Sequence, residues 1–229
     1  MQSENKVAIV IITYNCHQIF LKQVERIKKH CKDNYEIVII DNSTRFDSIE
    51  HIKYHVMRLG LRYVKTSAGS LNSSSSHSFA ANFSYNMFKE KYTHFFYLDH
   101  DCFPIKDFSV VELLGANEMA GLGQEKREKY YWPGCLMFKK QYDGIDFSPL
   151  PGLDTGGSLY KLMNDIGYEN LIFFDEVHAQ NPEFGKSFYN FYSLINDGMF
   201  MHFINSSNWN STNDHEERIN SLLNILDKK

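Results

Sequence analysis

The sequence predicts an α/β fold built on a mostly parallel sheet, and three observations predict it. Val7-Ala8-Ile9-Val10-Ile11-Ile12 and Glu36-Ile37-Val38-Ile39-Ile40 are nearly uninterrupted β-branched runs, the pattern of strands covered on both faces. Each run is followed by apolar residues at helical spacing, so strands and helices alternate, as right-handed parallel crossovers require. Beyond Pro104 the rhythm changes to shorter strand candidates separated by charged and Gly/Pro-bearing loops, which predicts a mixed second half.

After the first strand, Thr13-Tyr14-Asn15 forms the exit loop, and Phe20, Val24, Ile27 and Cys31 give a helix from about His17 to Cys31 its apolar stripe. The second strand ends in Asp41-Asn42-Ser43. Asp47 with Glu50 reads as a capping box for a helix whose stripe is Ile49, Ile52, Val56 and Leu59, with Gly60 as its stop. Leu61–Val64 is the third strand. Ser67 to Ser76 is serine-rich and reads as a mobile loop with the character of a lid, followed by a helix carrying Phe79, Phe83 and Met87. Phe95 to Pro104 is the next strand of the same sheet. Pro104, which cannot donate to a ladder, ends it, and alternation places Asp99 and Asp101 on one face. Aspartate is also common in turns.

In the second half, Met119–Leu122, Cys135–Phe138, Leu171–Phe174 and Met199–Phe203 are strand candidates. A helix over Ser158–Ile166 closes at Gly167, and Asn213 with Glu216 caps a last helix through Ile219, Leu222, Leu223 and Leu226. No internal repeat interrupts the chain. A single domain over 1–229 is expected, with a nucleotide-binding half at about 7–104, a mixed half at about 105–212 and a C-terminal helix at 213–229.

A length of 229 residues with 43% hydrophobic content supplies a buried core, and a net charge of −4 without a long basic run argues against nucleic acid as a partner. The apolar run Val7–Ile12 is too short to span a bilayer, and Gln2-Ser3-Glu4-Asn5-Lys6 is no signal-peptide start, so a cytoplasmic location is expected. Cys16, Cys31, Cys102 and Cys135 lack the spacing of a zinc knuckle or a disulfide framework.

Three strand ends carry polar groups: Thr13-Tyr14-Asn15, Asp41-Asn42-Ser43 and Asp99-His100-Asp101. In a parallel sheet they converge on one crevice. Neither a P-loop nor a GxGxxG turn is present, so phosphate would be met instead by a hard divalent cation held on carboxylates.

Ile12-Thr13-Tyr14-Asn15, Ile39-Ile40-Asp41-Asn42-Ser43 and Asp99-His100-Asp101, read as a DxD motif, together resemble a GT-A fold glycosyltransferase of the family 2 type, over Val7 to about Trp209. The resemblance implies a Rossmann-like sheet with a smaller mixed sheet on the acceptor side. It implies that Tyr14 and Asp41 contact the nucleotide base, that Thr13 lies beside it, and that Asp99 meets ribose or metal. Asp101 would be the principal metal ligand. His202, in Met199 to Trp209, would be a further ligand, followed by a polar loop in which Asn208 and Trp209 lie near donor or acceptor. Asp154, in Leu153-Asp154-Thr155-Gly156-Gly157, would be the general base, although Leu153 stands where the family usually has a second acid. Capping of the following helix is the structural alternative for Asp154, and Asp175 and Glu176 are fallback bases. Trp132 would shape the sugar pocket, with His77 and Asn82 as weaker contacts.

The implied activity is transfer of a sugar from a nucleotide-diphosphate donor, a UDP-sugar first, to a glycan or glycolipid hydroxyl with inversion. Mn2+ is the expected ion and Mg2+ the alternative. Polysaccharide biosynthesis, with peripheral association at the inner membrane face, is the corresponding setting. A non-catalytic nucleotide-binding subunit and a sugar nucleotidyltransferase are the rival readings; the lack of a glycine-rich turn after the first strand weighs against the latter.

Overall fold

The computed structural model describes residues 5–67, 72–142, 144–179, 192–204 and 215–229. The first half runs β1 (Val7–Thr13), α1 (His17–His30), β2 (Tyr35–Asp41), α2 (Phe46–Arg58), β3 (Arg62–Lys65), α3 (Ser73–Phe88) and β4 (His94–Asp99). β5 (Cys102–Pro104) and α4 (Val110–Leu114) lead to β6 (Met119–Glu125) and β7 (Lys129–Lys139). α5 (Leu159–Ile166), β8 (Leu171–Phe174), β9 (Glu176–Ala179), β10 (Tyr192–Ile195), β11 (Phe200–Phe203) and α6 (His215–Asp227) follow.

Seven strands form one sheet in the order β3-β2-β1-β4-β7-β6-β8. β1 lies parallel to β2 and β4, β3 parallel to β2, and β8 parallel to β6, while β7 runs antiparallel between β4 and β6. The strands expected in the second half therefore divide: β6, β7 and β8 extend the large sheet, whereas β11 joins β5, expected as the end of the β4 strand, and β9 and β10 in a four-stranded antiparallel sheet.

Both faces of β1 are covered, as its unbroken apolar run requires. Val7, Ile9 and Ile11 pack with Phe20, Val24 and Ile27 of α1 and Ile52 and Val56 of α2. Ala8, Val10 and Ile12 pack with Ala80, Ala81 and Tyr85 of α3. Each fully buried aliphatic side chain of this kind contributes about 1.5–3 kcal/mol. α6 buries Leu222 and Leu226 against Ile19, Phe103, Met201 and Phe203, closing the small sheet against α1.

Several local expectations change. The Asp47/Glu50 capping box does not form: α2 starts at Phe46, Asp47 pairs with Arg45 at 2.6 Å, and Asn15 caps the helix from outside by accepting from Thr44 N and Arg45 N. The serine run is not a loop throughout. Ser73 to Ser76 is the first turn of α3, whose Asn72 cap accepts from Ser75 N. The buried residues of α3 are Ser76, Ser78, Ala80, Ala81, Ser84, Tyr85 and Phe88, while Phe79, Phe83 and Met87 point outward. Small residues let α3 approach the sheet closely, and their hydroxyls are bonded there: Ser76 Oγ accepts from Asn42 Nδ2 at 2.7 Å, and Ser84 Oγ lies 2.8 Å from the Tyr97 hydroxyl. β9 and β10 are additional strands. Residues 68–71 of the lid expected over 67–76, together with Asn208, Trp209 and Asn213, lie outside the described residues.

Candidate active site

Thr13 and Asp41 are register partners at the ends of β1 and β2. Asp41 is fully buried. Its carboxylate accepts from Thr13 Oγ1 at 3.3 Å, Ser43 N at 2.9 Å and the Tyr63 hydroxyl at 2.7 Å. Burial first, and then the Asp41 carboxylate, push the Tyr63 phenol up, which keeps it a donor. Asp41 thereby ties the ends of β1 and β2 to β3 from inside the protein. Tyr14, one residue on from Thr13, is 36% exposed and is the part of this group that faces solvent.

β4 ends at Asp99, earlier than expected. His100 and Asp101 make a turn, and β5 begins in the other sheet, so Pro104 lies on an edge strand, where its missing donor costs nothing. The two acids therefore flank a sheet-to-sheet crossing instead of sharing the face of one strand. A crossing leaves backbone groups without ladder partners, and buried ones must be satisfied. Gln23 of α1 donates to Asp99 O at 2.6 Å and Cys102 O at 2.8 Å, and Phe203 N of β11 donates to Asp101 O at 2.9 Å. Gln23 is a polar residue among the apolar stripe of α1, which is the sequence signal that could have found it.

The side chains of the acids go different ways. Asp99 Oδ1 lies 2.7 Å from His77 Nε2 of α3. Burial alone would lower the imidazole's pKa, but the Asp99 carboxylate, with Asp101 and Asp154 beyond it, outweighs burial and holds His77 above its ordinary value. Burial likewise pushes Asp99 up, and His77, with His100 and His202, more than reverses this and holds the carboxyl below the usual range. Each partner of the contact thus favours the charged form of the other.

Asp101 Oδ1 stands 3.7 Å from His202 Nε2 of β11. His202 Nδ1 is buried and has no hydrogen bond among the described residues. The separation is too long for a hydrogen bond and close to the ~3–3.5 Å between neighbouring ligands of one ion with bonds of ~2.1 Å. Asp101 and His202 thus fit as a two-point hold for a divalent ion, with donor oxygens left to fill the remaining positions. Asp99, expected as a third ligand, is engaged by His77. Among the described residues no three His, Cys, Asp or Glu side chains form a group arranged to hold a metal.

Trp132 lies beside this pair, its ring 4.7 Å from that of His202. It sits within β7, not before a strand: between the Gly121–Leu136 and Gly123–Tyr131 pairs the ladder register shifts, and Trp132-Pro133-Gly134 bulges out of it. A Cβ on Gly134 would run into the Trp132 ring, so only glycine there lets the indole fold back toward His202.

Asp154 is half-buried in the loop before α5. It does not cap that helix, whose N-cap is Ser158. Its Oδ1 accepts from Thr155 N at 2.7 Å and from Ser74 Oγ, while its own N–H donates to the Tyr130 hydroxyl at 3.1 Å. Ser74 and His77 share one turn of α3, so the helix start carries partners of both Asp154 and Asp99. Of the fallback acids, Asp175 accepts from Asp197 N in the β10–β11 turn at 3.0 Å, and Glu176 lies 3.6 Å from His178.

No protein-family profile matches the chain, and no curated protein matches it in sequence. Its fold is similar to that of a mannosyltransferase, PcManGT from Pyrobaculum calidifontis, whose structure is in complex with GDP-Man and Mn2+: 12% identity, TM-score 0.55, over 75% of this chain and 55% of that one. The WbbM bifunctional glycosyltransferase matches at 14% identity and TM-score 0.47 over 76% of this chain and 39% of that one. S. aureus TarS matches at 12% and 0.43, over 62% and 30%. The chain has a GT-A-like glycosyltransferase fold and spans about half the length of the mannosyltransferase. Among the described residues no helix is long and apolar enough to cross a membrane.

Proposed function

We propose that this chain is a glycosyltransferase that moves a sugar from a nucleotide-diphosphate donor to a hydroxyl of a glycan or glycolipid, with inversion at the anomeric carbon. The observation that carries the reading is the meeting, at one edge of a GT-A-like sheet, of the Asp101–His202 pair with the Asp99–His77 ion pair and Asp154. Tyr14 offers its exposed ring to the nucleotide base, with Thr13 and Asp41 fixing the strand ends beneath it. Asp101 and His202 would hold a divalent ion, Mn2+ first and Mg2+ second, which when bound supplies positive charge against the diphosphate.

Asp154 is the general base. As the acceptor oxygen bonds to the anomeric carbon, the bond from that carbon to the diphosphate oxygen breaks. Its electron pair leaves with the diphosphate, and the hydroxyl proton passes to Asp154. Ser74 and Thr155 N hold the carboxylate in place from one side. Trp132, its ring tilted against that of His202, forms a wall on which a sugar ring can rest. A UDP-sugar is the expected donor, and GDP-mannose is the alternative that the similar mannosyltransferase suggests.

Calorimetric titration with UDP-, GDP- and ADP-sugars, and with a CMP-sugar as the monophosphate control, in the presence of Mn2+ tests the reading. Metal-dependent binding of one diphosphate class is expected, and binding of none of them would overturn it. A second reading is favoured by the bonds that Asp154 makes to Ser74 and Thr155. In it those bonds only join the loop to α3, and the chain binds nucleotide without performing transfer. Assay of sugar transfer after donor identification separates the two.

A further inference from the structure

The strands of the small sheet carry a lateral row of side chains. Cys102 of β5 is the register partner of His202 of β11, His202 that of Ser193 of β10, and Ser193 that of His178 of β9. Directly paired residues of antiparallel strands project from the same face, with Cβ atoms ~4.5–5.5 Å apart. His202, half of the hold assigned to a divalent ion, therefore has a neighbour on either side, while its Nδ1 is buried without a hydrogen bond among the described residues.

Ser193 is the second unusual member of the row. It is fully buried, and its Oγ also has no hydrogen-bond partner among the described residues. A hydroxyl taken out of water without a partner costs free energy, and alanine at this position would avoid that cost. The two orphaned atoms are complementary, because an imidazole protonated at Nδ1 donates there and a hydroxyl accepts. Neither Cys102 nor Trp132 competes for Nδ1. The Cys102 thiol, a weak acceptor in any case, is hydrogen-bonded to Cys135 of β7. The indole, whose ring lies 4.7 Å from that of His202, has only a donor. His178 stands on the far side of Ser193, beside Glu176.

A histidine that binds a metal through one nitrogen almost always donates the N–H of the other, and that bond fixes the tautomer and raises the basicity of the ligand. Nε2 of His202 faces Asp101, which leaves Nδ1 to carry the proton. From this register pairing of two buried, unpartnered atoms we propose that Ser193 is a positioning residue of the ion site: a turn about its χ1 brings Oγ to accept from His202 Nδ1–H when Nε2 takes the ion. The proposal deepens the Asp101–His202 hold described above and rests on it. It also gives a reason for a serine where the packing alone favours alanine.

The test uses the whole chain, with Mn2+ as the probe and the electron paramagnetic resonance signal of the free ion as the readout. Wild type and Ser193→Ala are titrated with Mn2+ alone and with UDP or GDP present, and the nucleotides are titrated again in EDTA. The expected result is Mn2+ affinity weakened roughly 10- to 100-fold in the variant. Nucleotide affinity in EDTA should be equal in the two proteins. In EDTA the variant should melt no lower than wild type, since the group it loses has no partner. Equal Mn2+ affinity overturns the role of Ser193 and leaves the ion site standing. A variant that melts well below wild type and loses nucleotide binding in EDTA marks Ser193 as a structural residue of the sheet, which also overturns it. Absence of Mn2+ binding by wild type with either nucleotide defeats the underlying hold itself, so the two failures are distinct.

Discussion

His77 Nε2 and Asp99 Oδ1 stand 2.7 Å apart, joining the first turns of α3 to the end of β4 at the point where the chain leaves the large sheet. The pair takes the acid that begins the Asp-His-Asp motif out of the group facing His202. It also gives the motif a division of labour: Asp99 binds the fold together, and Asp101 faces the crevice.

Replacing His77 with Gln should therefore lower stability by about 2–3 kcal/mol, less than the ~3–5 of a fully buried pair because both side chains keep some contact with water. His77 is held above its ordinary value, so its contribution is complete on the acid side of the usual imidazole range and is lost as pH rises through the raised value. Asp99 is held below its ordinary value, so its contribution is complete above the usual carboxylate range and is lost as pH falls through the lowered value. The difference between wild type and variant should peak between those limits and shrink beyond either. Urea unfolding across pH measures it, and a pH-independent difference would rule out the ion pair.

Asp101→Asn and His202→Ala should each remove the metal dependence of nucleotide binding. In wild type, chelation by EDTA is expected to weaken binding roughly tenfold or more, while either variant should bind with and without Mn2+ at the chelated level. Calorimetry reads both effects. A variant that keeps the full Mn2+ response would show that the ion is held elsewhere.

Asp154→Asn should cut the transfer rate by ~100- to 10,000-fold, the usual worth of positioned proton transfer, and leave nucleotide affinity unchanged. Steady-state rates with the identified donor, alongside calorimetry, separate a base from a loop fastener. Wild-type turnover in the variant would remove Asp154 from the chemistry, and joint loss of turnover and binding would mark it as structural.

Glu36 gathers Tyr92 at 2.7 Å, Arg62 at 2.8 Å, Lys91 at 3.0 Å and Lys6 at 3.3 Å around one carboxylate on β2. Burial opposes its charge, but the four donors together hold the carboxyl well below the ordinary range. Glu36→Gln should cost about 1–2 kcal/mol, since the cluster is partly exposed and screened. Its stabilisation is complete above the ordinary glutamate value and is lost as pH falls through the lowered one, so acid should destabilise wild type below about pH 4.5 more steeply than the variant. Parallel melting curves in acid would refute the assignment.

The parts of the fold that sequence made legible are those where burial is two-sided and side chains are large. β1 and β2 announce themselves because both faces need apolar residues. α3 misled for the opposite reason. Its core face is small over most of its length, Ser76, Ser78, Ala80, Ala81 and Ser84, with large side chains only at Tyr85 and Phe88 near its end, while its visible stripe of Phe79, Phe83 and Met87 lies outside. β10, with only Tyr192-Ser193-Leu194-Ile195, is too short to carry a period and owes its existence to pairing with β9 and β11. In the site, the strand-end groups Thr13 and Asp41 were readable because parallel order places them together. The diversion of Asp99 to His77 was not, because it depends on α3 starting at Ser73 and on the chain crossing between sheets after Asp99.

Gly156 packs the loop of the proposed base against the β7 bulge. Its φ of +86° is one that side-chain-bearing residues rarely adopt, and a Cβ there would strike Tyr131 O and approach Pro133 Cδ to 2.9 Å. Neither obstacle can yield cheaply, since one is backbone and the other belongs to the bulge that carries Trp132. Gly156→Ala should cost ~2–3 kcal/mol and shift the loop bearing Asp154, lowering turnover more than nucleotide affinity, because Thr13, Asp41, Asp101 and His202 sit on other elements. Gly144, which also has positive φ but nothing within 4 Å of an added Cβ, provides the control: Gly144→Ala should be milder in stability and leave turnover intact. Equal effects of the two substitutions on turnover would mean that backbone strain alone, and not the packing of the Asp154 loop against β7, governs the site.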